Sequence, residues 1–142
     1  MAVIFLIEDE IAYRTMISGM LASAGHSVVL ANNGLEAARL MGHWKESAPG
    51  LVITDQKMPG MSGYEVIRVL RSEITFRQIP VLVLTAFPGV VKDILEYDGV
   101  KLLDKMTAPE KIMETVERLL LDFPPPPPPP AKPLVINRGF SF

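Results

Sequence analysis

The chain has 142 residues, of which 49% are hydrophobic and 21% charged, which suffices for one ordinary core but not for two full domains. The net charge of -2, without any block of Lys or Arg, argues against binding to nucleic acid or to an anionic membrane. The absence of cysteine excludes disulfides, thiolate nucleophiles and Cys-bound zinc, and fits a reducing compartment, the cytoplasm.

Five apolar runs predict β-strands. They are continuous rather than alternating, which is typical of strands covered on both faces, as in a parallel sheet. No run approaches the ~20 residues that span a bilayer, and the first lacks the basic segment of a signal peptide. In chain order they occupy residues 2–7, 27–31, 51–54, 80–84 and 100–103.

Helical patterns lie between these runs, and three of them begin with a capping signal. In each, a side chain able to cap a helix stands three residues before a Glu, as in a capping box or its Asn analogue. The pairs are Asn33 with Glu36, Ser62 with Glu65, and Thr107 with Glu110. The last helix also carries apolar residues at helical spacing, which predicts that it packs on a sheet.

Five strands alternating with five helices predict an α/β fold with a doubly wound parallel sheet and right-handed crossovers. Such sheets bind ligands at the carboxyl ends of their strands, where the strand order reverses. Polar residues stand at those ends, and we expect all of them to face one crevice. Glu8 and Asp9 follow the first strand, Asp55 follows the third, Thr85 ends the fourth and Lys105 follows the fifth.

The composition changes after Asp122, where a run of seven prolines begins at residue 124. Such a run adopts polyproline II at ~3.1 Å per residue and acts as a stiff spacer. We therefore predict a domain at residues 1–122, a linker at 123–133 and a tail at 134–142. The apolar side chains of the tail favour docking on another surface. The alternative is a flexible end.

Three carboxylates that meet in one crevice repel one another unless a cation lies among them. A donor set made only of oxygen favours Mg²⁺. With that charge in place, one carboxylate can attack phosphorus while Thr85 and Lys105 stabilise the phosphoryl oxygens. Asp55 is the predicted nucleophile, because it stands alone while Glu8 and Asp9 are adjacent and suited to the cation. The alternative is an ordinary salt-bridged cluster.

This pattern resembles the receiver domain of two-component response regulators, over residues 1 to about 122. The resemblance rests on the pair Glu8-Asp9, the segment 55–63, the pair Thr85-Ala86 and Lys105, all in family order. It implies a flavodoxin-like (βα)5 fold with strand order 2-1-3-4-5. It also implies that Asp55 accepts phosphate from a sensor histidine kinase or a phosphotransfer protein.

The resemblance also assigns the metal ligands. Glu8 and Asp9 would hold Mg²⁺ directly or through water, together with Asp55. The backbone carbonyl of Lys57 would complete the site, which leaves the Lys57 side chain free to vary.

Three further residues would serve the phosphoryl group. Thr85 would bind one of its oxygens, the small Ala86 would leave room for it, and Lys105 would pair with its charge.

Four features depart from the family pattern. Glu8 stands where Asp is commoner as the first residue of the acidic pair. Its side chain is one methylene longer than that of Asp but carries the same charge. Leu102 stands where many receivers carry Tyr or Phe, and Met106 stands where a cis-proline is usual. The stretch from Thr85 to Lys105 is shorter than is typical and contains Pro88-Gly89, which predicts a short or irregular fourth helix.

The leading hypothesis is a single-domain receiver that signals through protein contacts and is no enzyme beyond its own aspartyl phosphorylation and dephosphorylation. Its downstream partner is unknown, and a homodimer would use the face of helix four, strand five and helix five, or exchanged tails. A degenerate receiver that acts without phosphorylation is the second hypothesis. An FMN-binding flavodoxin-like protein is the third, but acidic residues 8–10 would repel the cofactor phosphate.

Overall fold

A computed structural model describes residues 2–45, 47–87 and 97–124, whose backbone forms five strands and four helices. The strands are β1 (Val3–Ile7), β2 (Ser27–Ala31), β3 (Leu51–Thr54), β4 (Val81–Thr85) and β5 (Val100–Asp104). The helices are α1 (Ile11–Ser23), α2 (Gly34–Gly42), α3 (Gly63–Ser72) and α4 (Pro109–Asp122). The predicted short helix between β4 and β5 falls on residues 88–96, outside the described residues.

The five strands form one parallel sheet in the order β2-β1-β3-β4-β5, which confirms the predicted flavodoxin-like topology. β2 and β3 have the predicted bounds, β1 and β5 differ by one residue at one end, and β4 is shifted by one residue at both ends. β4 begins after Pro80, which has no amide hydrogen; the Val81 N–H donates to the Gly99 carbonyl at 2.9 Å. β5 extends to Asp104 because this residue pairs with Thr85.

Helices cover both faces of the sheet, as the continuous apolar runs predict. Along β1, Phe5 and Ile7 face α2 and α3, whereas Ile4 and Leu6 face α1 and α4. Each of these β1 side chains is buried, and burial of a large apolar side chain contributes about 1.5–3 kcal/mol to folding. The two cores fix the strands in register and so determine where their carboxyl ends lie.

Two of the three predicted caps are confirmed. Asn33 caps α2, where its side chain accepts from the Glu36 N–H at 2.8 Å, and Ser62 caps α3 in the same way. The Thr107 prediction is wrong. Helix α4 begins at Pro109 with Ala108 as the N-cap, because proline fits the first helical position, where no N–H needs a partner.

Within the described residues, no helix has the length and apolar character needed to cross a membrane. Helix α4 ends at Asp122. The rest of the predicted linker and the whole predicted tail lie outside the described residues, and both stay predictions.

We expect Asn33→Ala to lower the free energy of unfolding by about 1 kcal/mol, because it leaves the Glu36 N–H without its acceptor. Urea unfolding measures the change. Thr107→Ala is the matched control, and because Thr107 does not cap α4 we expect a change within about 0.5 kcal/mol. Equal losses in the two variants would contradict the assignment of the caps.

Candidate functional site

The sheet brings the predicted polar residues to one edge. Ile7 lies opposite Thr54 at the ends of β1 and β3, so Glu8 and Asp55 follow at the same level. Thr85 lies opposite Asp104 at the ends of β4 and β5, and the next residue, Lys105, donates its N–H to the Thr85 carbonyl at 3.0 Å. Strand order and register therefore place all four strand ends around one crevice.

An ammonium joins two buried carboxylates in this crevice. The Lys105 Nζ lies 2.8 Å from Glu8 Oε1 and 3.0 Å from Asp55 Oδ2. The three side chains are only 11%, 2% and 8% exposed, respectively. Glu10, at the rim, lies 3.8 Å from the same nitrogen. Charge-assisted contacts of this kind are stronger than neutral hydrogen bonds, so the ammonium fixes the distance between the two carboxylates.

Burial shifts the proton equilibria of the ion pair. It raises the pKa of Glu8, because the charged form is poorly solvated, and the hydrogen bonds from Lys105 and from the Glu10 N–H offset this only in part. Burial alone would lower the pKa of Lys105. The contacts with Glu8 and Asp55 outweigh that effect, and the pKa of Lys105 is raised. Lys105 is therefore a cation at neutral pH.

The main chain also holds Asp55 in place. Its Oδ1 accepts from the N–H of Gln56 at 2.6 Å and, at a longer 3.4 Å, from the N–H of Lys57. The start of α3 packs on the same segment, where the Gly63 N–H donates to the Gln56 carbonyl at 2.9 Å. A Cβ at Gly63 would collide with the Asp55 carbonyl, so glycine is required for this close approach.

Three carboxylates are arranged as a divalent cation needs them. Glu8, Asp9 and Asp55 each offer an oxygen, and these oxygens lie within 4.8 Å of one another. Asp9 is exposed, so its side of the cluster is open to a hydrated ion. Hard oxygen donors in small number suit Mg²⁺, which keeps several water ligands. The residues present therefore fit the predicted metal, and the Lys57 carbonyl stays a predicted ligand.

A cavity of about 430 Å³ is lined by Thr85 and by Gln56 and Lys57, the two residues directly after Asp55. Thr85 lies in its wall, buried, and its hydroxyl accepts from the Phe87 N–H at 3.3 Å. Lys57 and Phe87 stand at the cavity with the Lys57 Nζ 5.4 Å from the centre of the Phe87 ring. Ala86 is exposed between Thr85 and Phe87. This cavity, bordered by the residues directly after Asp55, is large enough for a phosphoryl group.

The structure adds two residues of α1 that the sequence reasoning missed. The Tyr13 ring centre lies 4.6 Å from the Lys105 Nζ, and an Arg14 guanidinium nitrogen donates to the Glu8 carbonyl at 2.9 Å. Both stand in the first turns of the helix that follows β1, a position that borders the crevice in a doubly wound sheet. The position of these two residues in the helix directly after β1 was the signal by which sequence reasoning could have found them.

The structure also describes the two residues near Lys105 that depart from the family pattern. Leu102 lies on β5 and packs against the core that α2 and α3 cover. Met106 is 89% exposed, and no cis peptide bond occurs in the described part of the chain. The Met106 N–H donates instead to Asp104 Oδ1 at 2.8 Å, which shapes the turn after β5.

Comparison with known proteins gives a family match over most of the chain. The model of the response regulator receiver domain matches residues 4–117. The probable transcriptional regulator ycf29 of Pyropia yezoensis is 32% identical over 120 residues, which cover 82% of this chain and 52% of that protein. The chain thus spans about half the length of this curated relative.

Two solved structures are similar in fold. The chemotaxis response regulator CheY4 of Vibrio cholerae has 30% identity and a TM-score of 0.74, over 84% of this chain and 99% of that one. The receiver domain of the sensor histidine kinase PA1611 of Pseudomonas aeruginosa PAO1 has 24% identity and a TM-score of 0.70, over 84% and 97%. The latter structure has a magnesium ion coordinated in its active site cleft.

We expect the Tyr13 phenol to stay protonated well above pH 10. Burial raises its pKa to about 12, the Lys105 charge opposes this, and the nearby carboxylates add to it. The protonated phenol is favoured in the folded state, so its contribution to stability is present below pH 10 and is lost as the pH rises towards 12.

The difference in phenolate absorbance between the parent and Tyr13→Phe isolates this group. It should correspond to about 10% ionisation at pH 11. Half-ionisation near pH 10 would contradict the burial of Tyr13 beside the carboxylates.

Proposed function

Because this chain belongs to the response regulator receiver domain family, we propose that Asp55 accepts a phosphoryl group in a Mg²⁺-dependent reaction. The donor is a sensor histidine kinase or a phosphotransfer protein, and the signal leaves through protein contacts. The observation that carries the proposal is the convergence of the Lys105 ammonium and an acidic cluster on the carboxylate of Asp55. An ordinary structural ion pair needs no adjacent cavity or third carboxylate.

In the proposed reaction, a carboxylate oxygen of Asp55 attacks phosphorus and the phosphorus–nitrogen bond of the donor phosphohistidine breaks. The imidazole leaves with the electron pair of that bond, and Asp55 becomes an acyl phosphate. Lys105 begins 3.0 Å from Asp55, so a short movement of its ammonium reaches the oxygens of the incoming group. The Thr85 hydroxyl stands in the wall of the same cavity and donates to one of those oxygens.

The metal ligands in this proposal are Glu8, Asp9, Asp55 and the Lys57 carbonyl. A bound Mg²⁺ supplies positive charge that neutralises the phosphoryl oxygens. Glu8 uses Oε1 for Lys105 and for the Glu10 N–H, which leaves its other oxygen for the cation or its water. Asp9 is exposed at the edge of the cluster, so the cation reaches the site from the side of Asp9.

The remaining assignments follow from the same proposal. The receiver occupies residues 1–122 in the cytoplasm. The linker at 123–133 is a spacer that sets the reach of the tail at 134–142, which docks on another surface. An unknown downstream protein reads the phosphorylated state. Homodimers would form through the face of the predicted fourth helix, β5 and α4, or through exchanged tails.

Phosphorylation by a small donor tests the proposed function. Phosphoramidate with Mg²⁺ should add one phosphoryl group to the parent, and intact mass measures it. Asp55→Asn should take none, because the amide is not a nucleophile, whereas Asp122→Asn, an exposed aspartate at the end of α4, should react like the parent. Undiminished labelling of D55N would overturn the assignment, and an unlabelled parent would favour the degenerate receiver.

We expect Phe87 to prolong the life of the aspartyl phosphate. Phe87 lines the same cavity as Lys57 and Thr85, where its ring would obstruct the in-line approach of water to the phosphate. Phe87→Ala should therefore shorten the phosphate lifetime severalfold, and Phe87→Leu should lie between the two. An unchanged or longer lifetime in F87A would rule out the shielding role.

A further inference from the structure

Tyr13 contacts Lys105 at both ends of the lysine. Its ring centre lies 4.6 Å from the ammonium, well inside the ~6 Å over which a cation and an aromatic face attract. Its hydroxyl faces the Lys105 carbonyl at 3.5 Å, a long hydrogen bond. The two residues are 92 positions apart, so the fold alone brings them together.

Little else in the turn after β5 restrains the Lys105 side chain. Met106 is 89% exposed, and its side chain does not pack over the lysine. The Met106 N–H donates to Asp104 Oδ1. A lysine has a flexible four-carbon stem, and ordering such a side chain costs up to about 2 kcal/mol of conformational entropy. Within the described part of the chain, the contacts that hold the ammonium are therefore those with the carboxylates and with the Tyr13 ring.

These two kinds of contact respond differently to a change of charge in the site. The ion pairs with Glu8 and Asp55 weaken when either carboxylate binds a cation or when Asp55 becomes an acyl phosphate. The ring of Tyr13 is neutral, and its attraction for the ammonium does not depend on the state of Asp55. The attraction between the Tyr13 ring and the Lys105 ammonium therefore keeps its strength while Lys105 changes its ionic partner.

We propose that Tyr13 is a positioning residue that holds the Lys105 ammonium at the phosphoacceptor while its ionic partner changes from the Asp55 carboxylate to the incoming phosphoryl group. The kinetic part of this inference rests on the proposed function. The placement of Lys105 by the ring does not, because it concerns the unphosphorylated protein.

The experiment compares variants that keep or remove the ring. Tyr13→Phe keeps the aromatic face and loses the hydroxyl, whereas Tyr13→Leu and Tyr13→Met remove the face. Tyr97→Leu is the matched control, because Tyr97 is also half-buried and aromatic but precedes β5 and lines a groove with Gly50 and Pro80, which precede β3 and β4. Urea unfolding of all four variants records any general loss of stability.

The first readout needs no phosphorylation. NMR should show the side-chain methylene protons of Lys105 shifted upfield by the ring current in the parent and in Y13F. The shift should be absent in Y13L and Y13M and unchanged in Y97L. A parent without this upfield shift would overturn the placement of Lys105 by Tyr13.

The second readout is the rate of Asp55 phosphorylation against phosphoramidate concentration at saturating Mg²⁺. Y13L and Y13M should lower the maximal rate about tenfold with little change in the apparent KM, and Y13F and Y97L should stay within about twofold of the parent. A Y13L rate equal to that of the parent, or equal losses in Y13F and Y13L, would overturn the positioning role. A parent that takes no phosphoryl group overturns the proposed function instead, and leaves the NMR result to decide the placement.

Discussion

The site depends on one ammonium shared by two buried carboxylates. Without Lys105, Glu8 and Asp55 would face each other across a poorly solvated crevice, and removal of one partner from a buried ion pair typically costs 3–5 kcal/mol. The same ammonium gives the crevice its chemistry, because it lies where negative charge would arrive with a phosphoryl group. The contact of Lys105 with Glu8 and Asp55 therefore contributes both to stability and to the proposed reactivity.

The sheet explains why these side chain types are needed. In the order β2-β1-β3-β4-β5, β1 and β5 are separated by three strand spacings, about 14 Å along the sheet. Glu8 and Lys105 bridge this separation with long side chains that meet above the end of β3, where the short Asp55 already lies. The long side chain of Glu8 thus contributes to its contact with Lys105.

Much of this arrangement could be predicted from local patterns. Continuous apolar runs located the strands, and the residues directly after them proved to be neighbours in space. Asn33 and Ser62 followed the capping rule, whereas Thr107 did not, because Pro109 moved the start of α4 by one residue. Tyr13 could not be found in this way, since its contact with Lys105 depends on the packing of α1 and has no periodic signal.

A phosphoryl analogue shows whether Asp55, Thr85 and Lys105 together form one phosphoryl site. The measurement is an NMR titration with beryllofluoride in the presence and absence of Mg²⁺, which follows the backbone amides of Asp55 and Thr85 and the side chain of Lys105. All three signals should shift together, only when both reagents are present, and not in D55N. Absence of these shifts in the parent, or the same shifts in D55N, would contradict the assignment of these residues to one site.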